Sequence, residues 1–360
     1  MEALPRKVIL SVTIYDIARE ANVGIGTVSR VFNNHPSVSE ETKRRVLKVA
    51  ARLNYRPHPY ARGLARKRTN SILAVVPFFT TFFFVEILQG VQARLTDDEC
   101  DLILHGVTHP DHAEQSLRRV SNRGRFDGIL YFSMQLPEEF VSEVTQLKVP
   151  LILVDAYHRL FDSFTVENVE GARAATKHLI DLGHKRIGML SANVASLPAR
   201  DRLKGYKQAL KEAGITPDAS LIRSSNSPIL DGFTRDTGYT LMKDFLNSGS
   251  VRPTAVVVSS DIQAAGALEA IAEAGVRVPD EIAVIGFDDI ELARHIGLST
   301  MRQPMAAMGR LAMQRLSERI GNPTMPTVHQ TFIPELVVRR STVSGGVVSS
   351  RPEPFVAVEA

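Results

Sequence analysis

The chain has 360 residues, 44% of them hydrophobic, with a net charge of +4; at about 100–200 residues per domain this predicts two or three domains with ample core. A single cysteine, Cys100, excludes an internal disulfide, no apolar run reaches the roughly 18 residues of a membrane span, and MEALPRKVILS holds too short an apolar stretch for a signal peptide. The expectation is a soluble, cytoplasmic protein without a membrane partner. Charge is unevenly spread: residues 1–70 carry 14 Lys/Arg against 5 Asp/Glu, the remainder 29 against 34. A basic head on an acidic body points to a polyanion partner for the head alone.

Residues 1–11 are expected to be a flexible extension. In TIYDIAREANV, Thr13 suits an N-cap with Asp16 at N3, and Ile14, Ile17, Ala18 and Ala21 recur at helical spacing, which predicts a helix over 13–21. The next stretch, ANVGIGTVSRVF (21–32), has Gly24-x-Gly26 with Ser29 three residues on, close to a turn that cradles a dinucleotide pyrophosphate. That fingerprint has to follow a buried strand; here it follows a helix, and no clear acidic ribose partner stands about 20 residues on. The glycines are instead read as a turn, Asn22-Val23-Gly24, and a second helix over about 25–33. Val28 and Val31 share one face of it, leaving Thr27, Ser29, Arg30 and Asn33 elsewhere. SVSEETKRRVLKVAARLNY predicts a third helix, N-capped by Ser39, with an inner stripe of Val46, Val49 or Ala50, and Leu53. Three short helices with a tight turn between the first two form a helix-turn-helix unit over 12–57, whose second helix enters the major groove. In RPHPYARGLARKRTN, Pro57 ends the third helix and Pro59 suits the first turn of a short new one over 58–70. Such a helix is marginal in isolation.

From residue 71 the pattern changes to alternating strands and helices. Strand-like SILAVVP is followed by helix-like VEILQGVQARL, then DLILHG, a helix over 113–123, DGILYFS, a helix over 137–147, and LILVD. A second series begins near 166: helix 169–182, KRIGMLS, helix 200–213, SLIRS, helix 229–247, AVVVSS, helix 263–274 and IAVIGFDD. Two such series predict an α/β body of two doubly wound lobes, with a ligand crevice at the C-terminal ends of the strands. The tail SGGVVSSRPEPFVAVEA is Gly/Ser/Pro-rich, lacks heptads, and is expected to be flexible over 343–360.

The head, residues 13–69, closely resembles that of the lactose-repressor (LacI/GalR) family of bacterial transcription regulators, most of all its catabolite-control and purine-repressor branches. FFFVEILQG, HLIDLGHKRIGMLS, RDRLKGYKQAL, GVRVPDEIAVIGFDD and STMRQP resemble the same family's body, of the type I periplasmic-binding-protein fold. The resemblance spans about residues 12–342. It implies that the chain crosses between lobes three times: a near lobe of about 71–165 and 305–332, a far lobe of about 166–303 and 333–342.

By this resemblance Ile25, Gly26 and Arg30 occupy base-reading positions. Arg30 can fork onto guanine, and Ile25 can meet a thymine methyl. Gly26 has no side chain to read with and costs about 1 kcal/mol of helix propensity relative to Ala. Thr13, Tyr15, Thr27, Ser29, Asn33, His58 and Arg62 would hold the DNA backbone, which fixes register without naming bases. Leu64 matches the hinge-helix leucine that wedges into the minor groove. Plainer readings stand beside these: Thr27 and Ser29 as helix-start caps, Arg30 as a solvated charge, 58–70 as a basic linker. For a small-molecule effector the resemblance points to Phe83, Phe84, Asp155, Arg202, Ser260, Asp288 and Gln303, a set suited to a sugar or sugar derivative. Asp155 and Asp288 as N-caps, Arg202 as a surface charge, and Phe83 and Phe84 as core are the alternatives. Ser260 and Glu167 depart from residues common in relatives, and TTFFFVE is more apolar than usual there. No cofactor or metal is expected. The implied partners are a palindromic double-stranded DNA operator, the effector, a second copy of the chain forming a homodimer, and, in the catabolite-control branch, a phosphoprotein corepressor. The competing readings are a sugar-processing enzyme with Asp155 and Asp288 as acid and base, for which no nucleophile–base set or metalloprotease, P-loop or serine-hydrolase motif stands out, and a solute-binding protein, which would not need a helix-turn-helix.

Overall fold

The computed structural model describes residues 12–32, 35–55, 69–98, 100–107, 126–248, 252–345 and 357–359. They divide into two compact units, a head ending at Ser71 that also takes in 124–127, and a body made of the rest.

The head contains α1 (Ile14–Glu20), α2 (Ile25–Phe32) and α3 (Glu40–Arg52). The Asp16 carboxylate accepts from the Thr13 N–H at 2.9 Å and its hydroxyl at 2.7 Å, fixing the start of α1. These bonds hold its pKa below the ordinary carboxylate value. Asn22, with φ of 50°, reverses the chain after α1. The Gly24 carbonyl accepts from the Thr27 and Val28 N–H groups, so α2 starts at Ile25 and Thr27 and Ser29 lie inside it rather than capping it. The Ser39 hydroxyl accepts from Thr42 N–H and caps α3. Ile17, Ala18, Ala21, Val28, Val31, Val46, Val49 and Ala50 close one small core.

The body contains two sheets. Strands β1 (Ser71–Pro77), β2 (Asp101–Val107), β3 (Gly128–Phe132), β4 (Leu151–Val154) and β5 (Asp162–Val166) belong to the first, together with β11 (His329–Phe332) and β13 (Ala357–Glu359), in the order β13-β11-β5-β4-β3-β1-β2. The second holds β6 (Ile187–Ser191), β7 (Ile222–Ser224), β8 (Ala255–Val258) and β9 (Ala283–Ile285), ordered β7-β6-β8-β9 and parallel throughout. Helices α4 (Phe82–Asp98), α5 (Glu138–Leu147) and α11 (Met305–Gly321) go with the first lobe. Helices α6 (Asn168–Asp181), α7 (Leu197–Glu212), α8 (Arg235–Asn247), α9 (Asp261–Glu273) and α10 (Glu291–Ile296) go with the second. Between the lobes runs an antiparallel ribbon, β10 (Thr300–Arg302) against β12 (Glu335–Val337), with Arg302 opposite Glu335. The core strands are buried on both faces, which is why they read as continuous apolar runs.

Two expectations change. The strand β5 was not foreseen: DSFTV is short and polar at its start, because Asp162 enters the core to accept from Arg315 at 3.0 Å, from Val328 N–H at 2.8 Å, and from Arg319. The helix expected over 229–247 starts only at Arg235, since Leu230, Asp231 and Gly232 are all left-handed and Thr234 caps the helix anew. Ala357–Glu359, near the end of the tail, pairs antiparallel with β11 at the edge of the first sheet. The expected helix over 113–123, residues 1–11 and 58–68, and most of the tail lie outside the described residues.

Helices in both lobes meet at backbone distance. A Cβ added at Gly238 in α8 would stand 1.9 Å from the Gln263 carbonyl oxygen of α9, and one at Gly266 in α9 would stand 1.9 Å from that of Arg235. Glycines 90 and 309 make the equivalent pair between α4 and α11, where an added Cβ would stand 2.0 Å from the carbonyl oxygen of Ala306 or Ile87. Gly238→Ala is therefore expected to lose about 1–3 kcal/mol or more by overpacking, read as a lower urea midpoint for the whole body. Gly214→Ala, where nothing crowds the Cβ but φ is +72°, is expected to cost no more than about 1–2 kcal/mol.

Candidate functional site

Helix α2 buries Val28 and Val31 and turns the opposite side outward. Gly26 and Arg30, four residues apart, are exposed there, with Ile25 (42% exposed) at its leading edge. Tyr15 on α1 is 66% exposed. Thr27 and Ser29 are half-buried. The Thr13 hydroxyl is already engaged by Asp16. Asn33, His58, Arg62 and Leu64 lie outside the described residues. At Gly26 a Cβ would meet nothing within 4 Å, so packing within the head does not require glycine at this position.

In the body, Asp155, Ser260, Asp288 and Gln303 lie one to three residues past the C-terminal ends of strands, whereas Phe83 and Phe84 sit in the first turn of α4 and Arg202 in α7. Three neighbouring strands of the first sheet turn in the same way: the residues just after β1, β3 and β4, namely Phe78, Ser133 and Asp155, have φ of 48°, 48° and 54°. Non-glycine residues held left-handed cost on the order of 1 kcal/mol or more each and collect at functional sites. Ser133 donates its hydroxyl to Asp155 at 2.8 Å. Phe84 is buried in the first-lobe core and Phe83 packs half-buried against it, their rings edge to face at 5.1 Å.

Opposite stands Arg202 of α7, only 5% exposed. Its Nε donates to Asn168 Oδ1 at 2.8 Å, its Nη1 donates to the Ser259 carbonyl, and Nη1 lies 3.6 Å from Asp288 Oδ1. The guanidinium sits over the Phe287 ring at 3.8 Å, with the Phe233 ring at 5.9 Å. Gln303 donates to Asp288 Oδ1 at 2.6 Å, while its own Oε1 is buried without a protein donor. The surface-charge reading of Arg202 and the N-cap reading of Asp155 and Asp288 do not hold, since no helix starts at either carboxylate. Ser260 is the residue spent as a cap: its hydroxyl accepts from Gln263 N–H at the start of α9.

Burial dominates the electrostatics. It pushes the Asp288 carboxyl up to about 7, against the pull of Arg202 and the Gln303 hydrogen bond. Burial raises Asp155 and drives Asp261 well above the ordinary range. Glu86, one turn beyond Phe83, is raised by burial to about 6, opposed by an N–H from Glu291. Sequence reasoning did not single out Phe233, Phe287, Asn168, Ser133 or Glu86. Phe287 inside IGFDD and Glu86 at i+3 from Phe83 carried a spacing signal; Phe233 depends on the left-handed turn before it and carried none. The arrangement offers a buried cation, titratable carboxyls and aromatic faces, which suits hydrogen bonding to a neutral polyhydroxylated molecule. Among the described residues no group of side chains could hold a metal ion, and no helix is long and apolar enough to cross a membrane.

Residues 13–58 match the family described as bacterial regulatory proteins, lacI family, and residues 176–342 match a periplasmic binding protein-like domain. Catabolite control protein A of Priestia megaterium is 31% identical over 92% of this chain and its own full length. The ribose operon repressor of Haemophilus influenzae is 35% identical over 92% of this chain and 99% of its own. Among solved structures, the lac repressor dimer bound to operator and the anti-inducer ONPF is similar with a TM-score of 0.78 at 27% identity, over 93% of this chain and all of that one. A complex of the transcriptional regulator CelR with cellobiose is similar with a TM-score of 0.67 at 28% identity, over 92% and 99%.

The raised value of Asp288 has a measurable consequence. Between about pH 4 and pH 7 the folded protein keeps a proton on Asp288 that the unfolded chain has already lost, so stability falls as pH rises through that window. Urea midpoints at pH 5 and pH 7.5 are expected to differ less in Asp288→Asn than in the wild type. An equal pH difference in the two proteins would show that Asp288 titrates normally.

Proposed function

Because the chain belongs to the LacI family of bacterial regulatory proteins, we propose that Ile25, Gly26 and Arg30 read operator bases while the cluster around Arg202 and Asp288 binds the effector that controls that reading. The chain is a DNA-binding transcriptional regulator with a helix-turn-helix head and an effector-binding body, and its relatives are regulators rather than enzymes. The observation that carries the reading is the outward face of α2, which leaves Ile25, Gly26 and Arg30 exposed on the basic head. In this reading residues 12–57 are the DNA-binding domain, 58–70 the hinge segment, with Leu64 the residue to wedge the minor groove, and 71–342 the effector-binding and dimerisation domain. Thr13, Tyr15, Thr27, Ser29, Asn33, His58 and Arg62 hold the DNA backbone. The protein acts in the cytoplasm, where its operator is.

The effector is a sugar or sugar derivative. Asp155, Arg202, Asp288 and Gln303 take its hydroxyls, and Phe233 and Phe83 meet its C–H face, with Phe84 backing Phe83 from the core. The CelR complex, which holds cellobiose, supports this chemistry. Ser260 acts indirectly, by capping α9. Two heads on a dimer read two half-sites, as two-fold symmetry requires, and the effector's differential affinity for two arrangements of the lobes sets the size of the response. The resemblance to the catabolite-control branch adds a phosphoprotein corepressor as a partner to test.

Selection of genomic DNA fragments on the purified protein at near-physiological salt is expected to enrich a palindrome of roughly 14–20 base pairs. Binding that remains sequence-blind and salt-sensitive, with candidate sugars and a phosphoprotein present, would refute the assignment of the reading face. On the selected operator, Arg30→Ala is expected to lose about 1–3 kcal/mol per half-site and to relax specificity at one base. Asp288→Ala is expected to keep operator affinity and lose the response to the sugar that moves the wild type. Gly26→Ala is expected to stabilise the head by about 1 kcal/mol, seen as a higher melting temperature of that unit.

A further inference from the structure

Asp288 owes its position to backbone that most side chains avoid. Its φ is 124° and that of Asp289 is 61°, two consecutive left-handed residues without a glycine. Such geometry persists only where the surroundings over-determine it. Here the constraint comes from both strands of the interlobe ribbon. Asp288 N–H donates to the Met301 carbonyl at 2.8 Å, and Gln303 N–H donates to the Asp288 carbonyl at 3.1 Å. The Asp289 carboxylate is gripped by two arginines: Arg302 of β10 donates to Oδ2 at 2.7 Å, and Arg339, two residues past β12, donates to Oδ1 at 2.6 Å. Arg339 is fully buried and also donates to the Leu298 carbonyl. Arg302 faces Glu335 across the ribbon at 3.8 Å.

This clamp sits where the chain changes lobes. Met301 belongs to the second-lobe core, whereas Met305 and Phe332 belong to the first. Arg302 therefore stands at the start of one crossing, and Arg339 lies just beyond the end of another. A third crossing lies alongside, where Glu167 N–H donates to the Phe332 carbonyl. Two of the three crossings thus begin or end at a residue that Asp289 holds.

We propose that Asp289 is a positioning residue of the effector response: its carboxylate, shared by Arg302 and Arg339, fixes the turn that aims Asp288 at Arg202 and ties that turn to two interlobe crossings. It touches no effector itself. The proposal rests on the effector reading above only for its consequence, since the clamp is a property of the chain alone.

Hydrogen–deuterium exchange on the full-length, ligand-free protein tests the clamp directly. In Asp289→Asn, which keeps shape and removes the charge, the amides of Asp288 and Gln303 are expected to exchange at least tenfold faster. Those of β3, β4 and β8 should be unchanged, as should affinity for the selected operator. Arg302→Lys, which keeps charge but loses the guanidinium fork, is expected to show the same pattern more weakly, and serves if the first variant does not fold. Unchanged exchange at 288 and 303, or a uniform rise across both lobes, would overturn the proposal. With cellobiose as probe, wild-type protection at 288 and 303 that Asp289→Asn loses would support the link to binding. If cellobiose protects neither protein, that counts against the sugar assignment, and the ligand-free exchange still decides the clamp.

Discussion

A guanidinium kept out of water organises the body of this protein. Desolvating Arg202 costs several kcal/mol unless its charge and its donors are met, and burial does pull its pKa down. The structure meets it from several directions: a carbonyl from the end of β8, an amide from α6, the carboxylate of Asp288, and the face of Phe287. Each of these partners sits just past a strand or at the start of a helix. Satisfying one side chain thus fixes how several βα turns of the second lobe end, and the first lobe contributes Asp155, whose charge is felt at the same guanidinium. Removing the charge would leave partners unpaired rather than simply emptying space.

That arrangement needs a stiff frame, and the glycine contacts supply it. Where α8 meets α9, and α4 meets α11, backbone lies against backbone with no side chain between. Helices packed this closely have little freedom to slide, because a small shift turns contact into overlap. Such contacts resist sliding within each lobe, and the ribbon and the crossings beside it are what link one lobe to the other. Strain is placed accordingly. Five of the left-handed non-glycine residues, Phe78, Ser133, Asp155, Asp288 and Asp289, fall at the strand ends of the first lobe and at the 288–289 turn.

What the sequence made legible follows from physics that is local. The helices of the head are written in their caps and in 3.6-residue periodicity, and the outward face of α2 follows once Val28 and Val31 are placed inward. Buried strands announce themselves as apolar runs. The parts that escaped depend on distant partners. DSFTV reads as a polar loop until Arg315 and Arg319, more than 150 residues away, are brought to Asp162. The break at Leu230–Gly232 has one glycine to mark it, although three residues are left-handed. Phe233 approaches Arg202 only because of that break. Ser260 and Asp288 both end apolar strands in sequence, and nothing local says that the first caps a helix while the second meets an arginine.

The charge of the cluster does not balance by itself. Arg202 is one cation among Asp155, Asp261 and Asp288, and burial favours the neutral form of all three acids. With Asp288 near 7, small changes in its partners move it between donor and acceptor. A molecule that donates a hydroxyl to Asp288 favours the carboxylate and releases a proton; one that accepts from it favours the acid and retains the proton. The carboxylate draws Arg202 toward Asp288, whereas the acid leaves the guanidinium to Ser259 and Asn168. Two ligands of similar size can therefore settle the same side chains in two different charge states. Asp288 is also joined by backbone to Arg302 of the interlobe ribbon. Where the proton resides on Asp288 therefore sets which hydrogen bonds the cluster can offer a ligand.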